Sequence, residues 1–162
     1  MLVLSSMNTQ LDRIDKHILS LMQRNGRITN LELADQVGLS PTPCARRVKR
    51  LEESGIVDRH VTLLKAEALG LNLTAMVSIT MDRHTPERFE KFEQKVSGFA
   101  EVLECSIVTG QAADFLLKVV VKDMRHYEQF LLGRLTNLEG VTGVHSSFVL
   151  RKVVDKTELP LE

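Results

Sequence analysis

Apolar side chains follow two different periods along this chain, and the change falls near residue 72. Before that point they recur every three or four residues, the spacing that places them on one face of a helix. Beyond it, several stretches alternate apolar and polar residues, as a strand with one buried face does. The pattern predicts a helical first part and a mixed second part.

The first predicted helix follows Asp12 and ends at Asn25. Aspartate is a preferred N-cap because its side chain accepts a hydrogen bond from a free backbone N–H of the first turn. This helix is expected to pack beneath two others and complete a small three-helix head. Its apolar face contains Ile14, Ile18, Leu21 and Met22.

Two further predicted helices are joined by a tight turn. Thr29 followed by Glu32 is a capping box, and Gly38 supplies the left-handed residue that ends the second helix. Ser40 is expected to cap the third helix. Pro41 suits the first helical position, because no intrahelical hydrogen bond is lost there. The arrangement predicts a helix–turn–helix.

The third helix, which is predicted to run to about residue 54, has one apolar stripe and one basic side. Cys44, Val48 and Leu51 lie at positions i, i+4 and i+7, so they face the core. In a helix–turn–helix the second helix enters the major groove of DNA. The alternative is a solvated basic face on an ordinary helix. The predicted DNA-contacting residues are Ser40, Thr42, Pro43, Arg46, Arg47, Lys49 and Arg50.

Different roles are predicted for these basic side chains. Arg46 and Arg50 project away from the apolar stripe, and an arginine can donate two hydrogen bonds to O6 and N7 of guanine. Both are therefore expected to read bases, with Arg47 on a flank. Lys49 is expected to contact phosphate, which carries no sequence information.

After the third helix, residues 56–63 alternate loosely and predict a strand or wing beside it. Arg59 and His60 would touch phosphate there. A solvent-facing linker strand is the alternative. Residues 65–72 form a short polar connector.

The second part has four predicted strands and two helices in the order β-α-β-β-α-β, the ferredoxin-like arrangement. Helices cover only one face of such a sheet. The elements are predicted at about residues 73–81, 85–96, 102–109, 115–121, 123–135 and 144–153.

The sheet face away from the helices is also partly apolar, because Met76, Leu116, Val120 and Val149 fall on it. An exposed apolar face is commonly an interaction surface. Self-association through this domain is therefore predicted, and a merely mixed surface is the alternative.

Charge is balanced, with 21 basic and 21 acidic side chains. Residues 1–64 carry nine Lys/Arg against seven Asp/Glu, and the remainder carries twelve against fourteen. Any DNA binding should therefore depend on local placement of charge rather than on a bulk basic character.

Cys44 and Cys105 are far apart and the five histidines are scattered, so neither a metal site nor a cofactor is predicted. Both thiols are expected to be buried in a reducing cytoplasm. No apolar stretch reaches the 18 residues of a membrane span, and residues 2–4 are too short for a signal-peptide core. Residues 1–8 are expected to form a disordered extension, with Met7 as an alternative start.

The fold class predicted from these patterns is α+β, with an N-terminal winged helix–turn–helix domain and a C-terminal ferredoxin-like βαββαβ domain. The predicted divisions are an extension at 1–10, a DNA-binding domain at 11–64, a linker at 65–72, an oligomerisation domain at 73–154, and a tail at 155–162.

This combination resembles the Lrp/AsnC, or feast/famine, transcription regulators over essentially residues 11–153. Its specific motifs are Leu-Ser-Pro-Thr-Pro-Cys at 39–44 before an arginine-rich helix, Val-Thr-Gly at 108–110 and Asp-Phe-Leu-Leu-Lys at 114–118. The resemblance implies a regulator that binds double-stranded DNA. It also implies sensor domains that pair into dimers and then into octamers or similar rings, and that bind small molecules, usually amino acids, between them.

The implied effector loop lies between the second and third strands. Thr109, Gly110, Gln111 and Asp114 are the predicted effector-binding residues. Gly110 permits close approach of a ligand carboxylate, Gln111 offers a donor and an acceptor, and Asp114 can pair with an ammonium group. Three residues separate Gly110 from Asp114 where the family pattern has two. The alternative is a simple turn in which Asp114 caps backbone N–H groups.

Two other function classes compete with a regulator. Some sirohaem decarboxylases resemble the same two-domain fold, but no nucleophile–base set is evident and no catalytic residue is predicted. A helix–turn–helix converted to a protein-interaction module is the third possibility.

Overall fold

The computed structural model describes residues 10–110 and 113–161. The predicted N-terminal extension, apart from Gln10, and the predicted effector residue Gln111 lie outside this part of the chain. The helices and strands are α1 Arg13–Arg24, α2 Asn30–Val37, α3 Pro41–Glu53, β1 Leu73–Met81, α4 Pro86–Val96, β2 Val102–Ile107, β3 Phe115–Val121, α5 Met124–Gly133 and β4 Val141–Phe148.

The chain divides into two compact units, with boundaries after Leu63 and after Val153. The first unit contains α1 to α3 and takes in the C-terminal segment as well. Gln23 of α1 holds that segment through its amide: Nε2 donates to the Leu159 carbonyl at 3.1 Å, and the Leu159 N–H donates to Oε1 at 2.6 Å. The predicted tail therefore has a partner on α1.

The predicted caps of α1 and α2 are confirmed. Asp12 Oδ1 accepts a hydrogen bond from the Asp15 N–H at 2.8 Å, and the Asp15 side chain accepts one from the Asp12 N–H. Thr29 and Glu32 form the same reciprocal pair. Gly38 ends α2 with φ of 70°, in the left-handed region. These local contacts define where α1 and α2 begin and where α2 ends.

α3 begins as predicted with Pro41 at its first position, and Ser40 takes the N-cap position. The Ser40 side chain makes no capping hydrogen bond, so the fixed φ of Pro41 is the main start signal. Side chains from all three helices form one core. Its buried members are Ile18, Leu19, Leu33, Ala34, Cys44 and Leu51.

The strand predicted at 56–63 is wrong. This segment has no regular secondary structure, and Val61 and Leu63 are exposed. A single extended segment needs a neighbouring strand to satisfy its backbone groups. None of the described residues of the first unit forms such a strand.

The second unit is the predicted ferredoxin-like arrangement, with its four strands in the order β2-β3-β1-β4 and every pair antiparallel. Val77 in β1 is opposite Leu117 in β3 and Ser146 in β4. Alternate residues of β1 and β3 point to the helices. The buried core contains Ala75, Val77, Ile79, Met81, Phe92, Val96, Phe115, Leu117, Val119, Val121, Tyr127, Phe130 and Leu135.

The connector at 65–72 contains a single 3₁₀ turn at Glu67–Leu69, which Gly70 ends with φ of 75°. At the far end of the sheet, β4 begins at Val141 and ends at Phe148, so the predicted 144–153 is displaced. Gly143 lies inside the strand opposite Thr80. A Cβ on Gly143 would lie 3.3 Å from Thr80 Cβ, so this glycine permits close packing of two strands rather than ending one.

Two burial predictions need correction or refinement. Cys105 is exposed, because β2 is an edge strand. On the sheet face away from the helices, Val120 is buried and Met76 is half-buried, so that face is less open than its sequence pattern indicates.

None of the described helices is long and apolar enough to cross a membrane.

Candidate nucleic-acid interface and effector turn

The exposed side of α3 is the candidate DNA-contacting surface. Thr42, Ala45, Arg46 and Lys49 are all exposed on it, opposite the buried Cys44 and Leu51. Among the described residues, Arg46 has no ion-pair partner, and Lys49 has only a loose contact with Glu53 at 3.7 Å. Two cationic side chains, one helical turn apart, are therefore available to an external ligand.

Arg47 and Arg50 behave differently, because both are engaged with α1. Arg47 NH1 lies 2.6 Å from Asp12 Oδ2 and 2.8 Å from Asp15 Oδ1. Arg50 NH2 lies 2.5 Å from Asp15 Oδ2. Two carboxylates and two guanidinium groups thus form a charge-balanced group, which we term the Asp–Arg quartet.

The pKa values of Asp12 and Arg47 are shifted within the quartet. The pKa of Asp12 lies below its ordinary value, first because the Asp15 backbone N–H donates to the carboxylate and next because Arg47 donates to it. The pKa of Arg47 is raised by its hydrogen bonds to Asp12 and Asp15. Both shifts favour the charged forms of the Asp12–Arg47 pair.

The remaining predicted DNA contacts surround this surface. Ser40 is exposed at the start of α3, and Pro43 is half-buried. A shallow depression of about 350 Å³ runs along the flank of the helix. It is lined by Leu39, Pro43, Arg46, Arg47 and Arg50.

Beyond α3, the two residues predicted to touch phosphate have nearby acidic partners. Arg59 Nε lies 3.6 Å from Asp58, and His60 Nε2 lies 3.5 Å from Glu52. Their contact with DNA stays a prediction.

The candidate effector turn lies between β2 and β3. Gly110 has φ of 83°, in the left-handed region, and both it and Thr109 are exposed. The Val108 N–H donates to the Asp114 carbonyl at 3.0 Å and closes the turn. The Asp114 N–H donates to the Ile79 carbonyl of β1 at 2.8 Å. Val108 and Asp114, which flank the turn, are therefore held by backbone hydrogen bonds.

The Asp114 side chain already has two partners. Oδ2 accepts a hydrogen bond from the Met81 N–H at 2.7 Å, and Oδ1 lies 2.7 Å from His84 Nε2. The Asp114 side chain is 16% exposed, whereas that of His84 is 70% exposed. His84 also meets Phe89 edge-on, with ring centroids 6.0 Å apart. One carboxylate oxygen is thus held by the backbone of β1, and the other lies beside a solvent-exposed side chain.

Sequence reasoning missed His84 and the two acidic members of the quartet as site residues. Asp12 and Asp15 are three positions apart at a helix start, which identifies a capping box but not their pairing with α3. His84 closely follows β1, whose neighbour is β3. Its proximity to Asp114 follows from antiparallel pairing, in which the end of one strand lies beside the start of the next.

Taken together, the helix–turn–helix with an exposed basic face and the ferredoxin-like unit with a held turn define a class: a two-domain DNA-binding transcriptional regulator with a ligand-binding domain. Residues 11–58 match the sequence profile of the winged helix-turn-helix DNA-binding domain, and residues 74–159 match that of the Lrp/AsnC ligand binding domain. The chain belongs to the Lrp/AsnC family.

Individual relatives agree with this family. The leucine-responsive regulatory proteins of Klebsiella pneumoniae and Escherichia coli K12 are each 41% identical over 152 residues, covering 94% of this chain and 92% of theirs. A transcriptional regulator from Neisseria meningitidis, solved as a complex with L-Met, has a TM-score of 0.88 at 41% identity. That match covers 93% of this chain and 96% of that one. An AsnC family regulator from Agrobacterium tumefaciens has a TM-score of 0.87 at 37% identity, covering 93% and 97%.

Proposed function

We propose that this regulator reads double-stranded DNA with the exposed face of α3 and that a small amino acid binds beside the turn at residues 109–114. The observation that carries the DNA proposal is the availability of Arg46 and Lys49 on a helix whose opposite side is buried. Docking that face in the major groove leaves the core of the first unit undisturbed.

The two cations differ in their expected roles. Arg46 presents a planar fork that matches O6 and N7 of guanine, so we assign it to base reading. Lys49, a point charge one turn later, is assigned to phosphate. Thr42 lies one turn before Arg46, where its hydroxyl can reach either a base edge or a phosphate oxygen.

Arg46→Ala tests the assignment of base reading. A duplex selected from a random library by the wild-type protein serves as the specific site. Losing one bidentate contact should cost roughly 1–3 kcal/mol and relax preference at one base position. Arg24→Ala removes the same charge from the end of α1 and is the matched control. Unchanged affinity and unchanged preference in folded Arg46→Ala would show that this face is misassigned.

The effector proposal is supported by the geometry of Asp114 and by the L-Met complex of the Neisseria relative. We propose that the ligand ammonium group takes the place of His84 at Asp114 Oδ1, while Oδ2 stays on the Met81 N–H. Gly110 leaves space for the ligand carboxylate near the exposed backbone of the turn. Thr109 and Gln111 are the remaining proposed contacts.

Calorimetry with L-Met, followed by the other amino acids, tests this site. Asp114→Asn keeps the side-chain shape but removes the charge, and it should weaken binding at least about tenfold, since hydrogen bonds to charged groups contribute roughly 1.5–3 kcal/mol. His84→Ala should bind at least as tightly as wild type. Equal affinity of Asp114→Asn and wild type would make Asp114 a turn residue. No heat with any amino acid would remove the effector hypothesis for this site.

We also propose that the second units pair through the sheet face containing Met76 and that dimers assemble further into an octamer or similar ring. A two-fold related operator should follow from the symmetry of the dimer. Sedimentation of Met76→Glu should show weaker association than wild type. Met124→Glu, at an exposed position of α5, is the control. Equal association of both variants with wild type would exclude this face as the interface.

Finally, we propose that the chain acts as a regulator without catalytic activity, and that it works in the cytoplasm. The relatives described above are regulators, so a sirohaem-decarboxylase-like activity is not favoured.

A further inference from the structure

The Asp–Arg quartet divides the basic residues of α3 into two groups, one paired within the protein and one exposed to solvent. Arg46 and Lys49 are available to DNA, whereas Arg47 and Arg50 donate to carboxylates of the same chain. Four basic side chains within five positions would otherwise form one continuous cationic surface.

The carboxylates hold their partners firmly. The Asp15 side chain is only 1% exposed and accepts from three donors: the Asp12 N–H, Arg47 and Arg50. Asp12 adds a second acceptor for Arg47 while its other oxygen caps α1. Charge-assisted hydrogen bonds of 2.5–2.8 Å are short ones. The start of α1 is thereby tied to the middle and last turn of α3.

We propose that Asp12 and Asp15 determine DNA specificity by keeping Arg47 and Arg50 from binding phosphate on any sequence. All four are positioning residues: they orient α3 against α1 and leave reading to its exposed face. The inference rests on the proposed binding of DNA by that face.

The physical reason is a competition between two kinds of anion. An arginine released beside DNA binds a phosphate, and each such contact strengthens binding to every sequence alike. An internal carboxylate that is already in place withholds the arginine from this contact. The quartet therefore lowers non-specific affinity more than specific affinity, and specificity is the ratio of the two.

Asp12→Asn is the most informative variant. Asparagine is as good an N-cap as aspartate, so α1 keeps its start while Arg47 loses one of its two carboxylates. Binding to a random-sequence duplex and to the selected duplex is measured at KCl concentrations from about 50 to about 300 mM, because phosphate contacts are increasingly screened over this range. On the random duplex, the slope of log K against log salt should steepen by up to about 0.9 for one released arginine. The ratio of specific to non-specific affinity should fall.

Two controls separate this effect from simple loss of a negative charge. Asp35→Asn removes an exposed carboxylate of α2 from the same unit, and it should leave the slope unchanged. In an Arg47→Gln background, Asp12→Asn should no longer change the slope, since the arginine to be released is absent. Arg47→Gln alone should match the wild-type slope, and this holds whether or not Asp12→Asn folds. Thermal unfolding verifies that each variant is native.

The possible outcomes are distinct. A steeper slope in Asp12→Asn, absent from both controls, supports the inference. A slope equal to that of Asp35→Asn, or a flatter slope in Arg47→Gln alone, overturns it, as does reduced thermal stability with an unchanged slope and ratio. At about 50 mM KCl, phosphate contacts are only weakly screened, so non-specific binding is strong. If wild type binds neither duplex under these conditions, the proposed DNA function fails instead.

Discussion

Each unit of the chain has one aspartate that contacts side chains or backbone groups of another element: Asp15 in the first unit and Asp114 in the second. The two differ in how easily an external ligand could replace their partners. Asp15 is buried and accepts from two arginines and a backbone N–H, all belonging to the protein. Asp114 accepts a hydrogen bond from one backbone N–H, and its other oxygen lies 2.7 Å from the exposed His84. The first arrangement is closed and serves to position a helix. The second has one solvent-exposed partner, which the proposed ligand would displace.

The largest effect on stability is expected from a substitution of the buried Asp15. Asp15→Ala should leave Arg47 and Arg50 without their shared partner and lower the free energy of unfolding of the first unit. Breaking a fully buried pair costs about 3–5 kcal/mol, and the partial exposure of both arginines places the expected loss near the lower end. Urea titration followed by far-UV circular dichroism measures it. A loss below about 1 kcal/mol would mean that the pair behaves as a surface ion pair.

The open site should tolerate the same change better. Asp114→Ala removes the acceptor of the Met81 N–H, so about 1 kcal/mol of stability should be lost, while amino-acid binding is affected far more. Thermal unfolding of wild type and variant, each with and without L-Met, separates the two effects. If Asp114→Ala costs as much as Asp15→Ala, the distinction between the two sites disappears.

The smallest effect concerns acid sensitivity. Because the folded-state pKa of Asp12 lies below its unfolded value of about 3.8, its contribution is present above that pH and is lost as the pH falls through the folded value. Asp12→Asn should therefore unfold with a weaker pH dependence than wild type below pH 4. Parallel acid titrations of the two proteins would contradict this account of the N-cap.

Features that depend on near neighbours in the chain were predictable from the sequence. The capping boxes, the start of α3 at Pro41 and the whole of β3 at 115–121 follow from residues within a few positions of one another. The exposure of Cys105 was not predictable in this way, because it depends on which strand is at the edge of the sheet. The bounds of β4, predicted at 144–153, lie at Val141–Phe148 for a similar reason: they depend on pairing with β1, in which Gly143 lies opposite Thr80.

The sites show the same limit. A helical projection indicates the side from which Arg47 and Arg50 leave α3, but not that both side chains turn to carboxylates more than 30 positions earlier. Likewise, the turn at Gly110 was evident, whereas its link to His84 required the register between β1 and β3. The partner of a long, flexible side chain depends on which groups the fold places nearby, so it cannot be predicted from local sequence.

The division of labour on α3 is tested most directly by comparing Lys49→Gln with Arg47→Gln. Each variant removes one positive charge from the same helix, two positions apart. The salt dependence of binding to a random-sequence duplex is measured for both. Lys49→Gln should flatten the slope of log K against log salt by about 0.9, and Arg47→Gln should leave it unchanged. A flatter slope for Arg47→Gln with no change for Lys49→Gln would contradict the account.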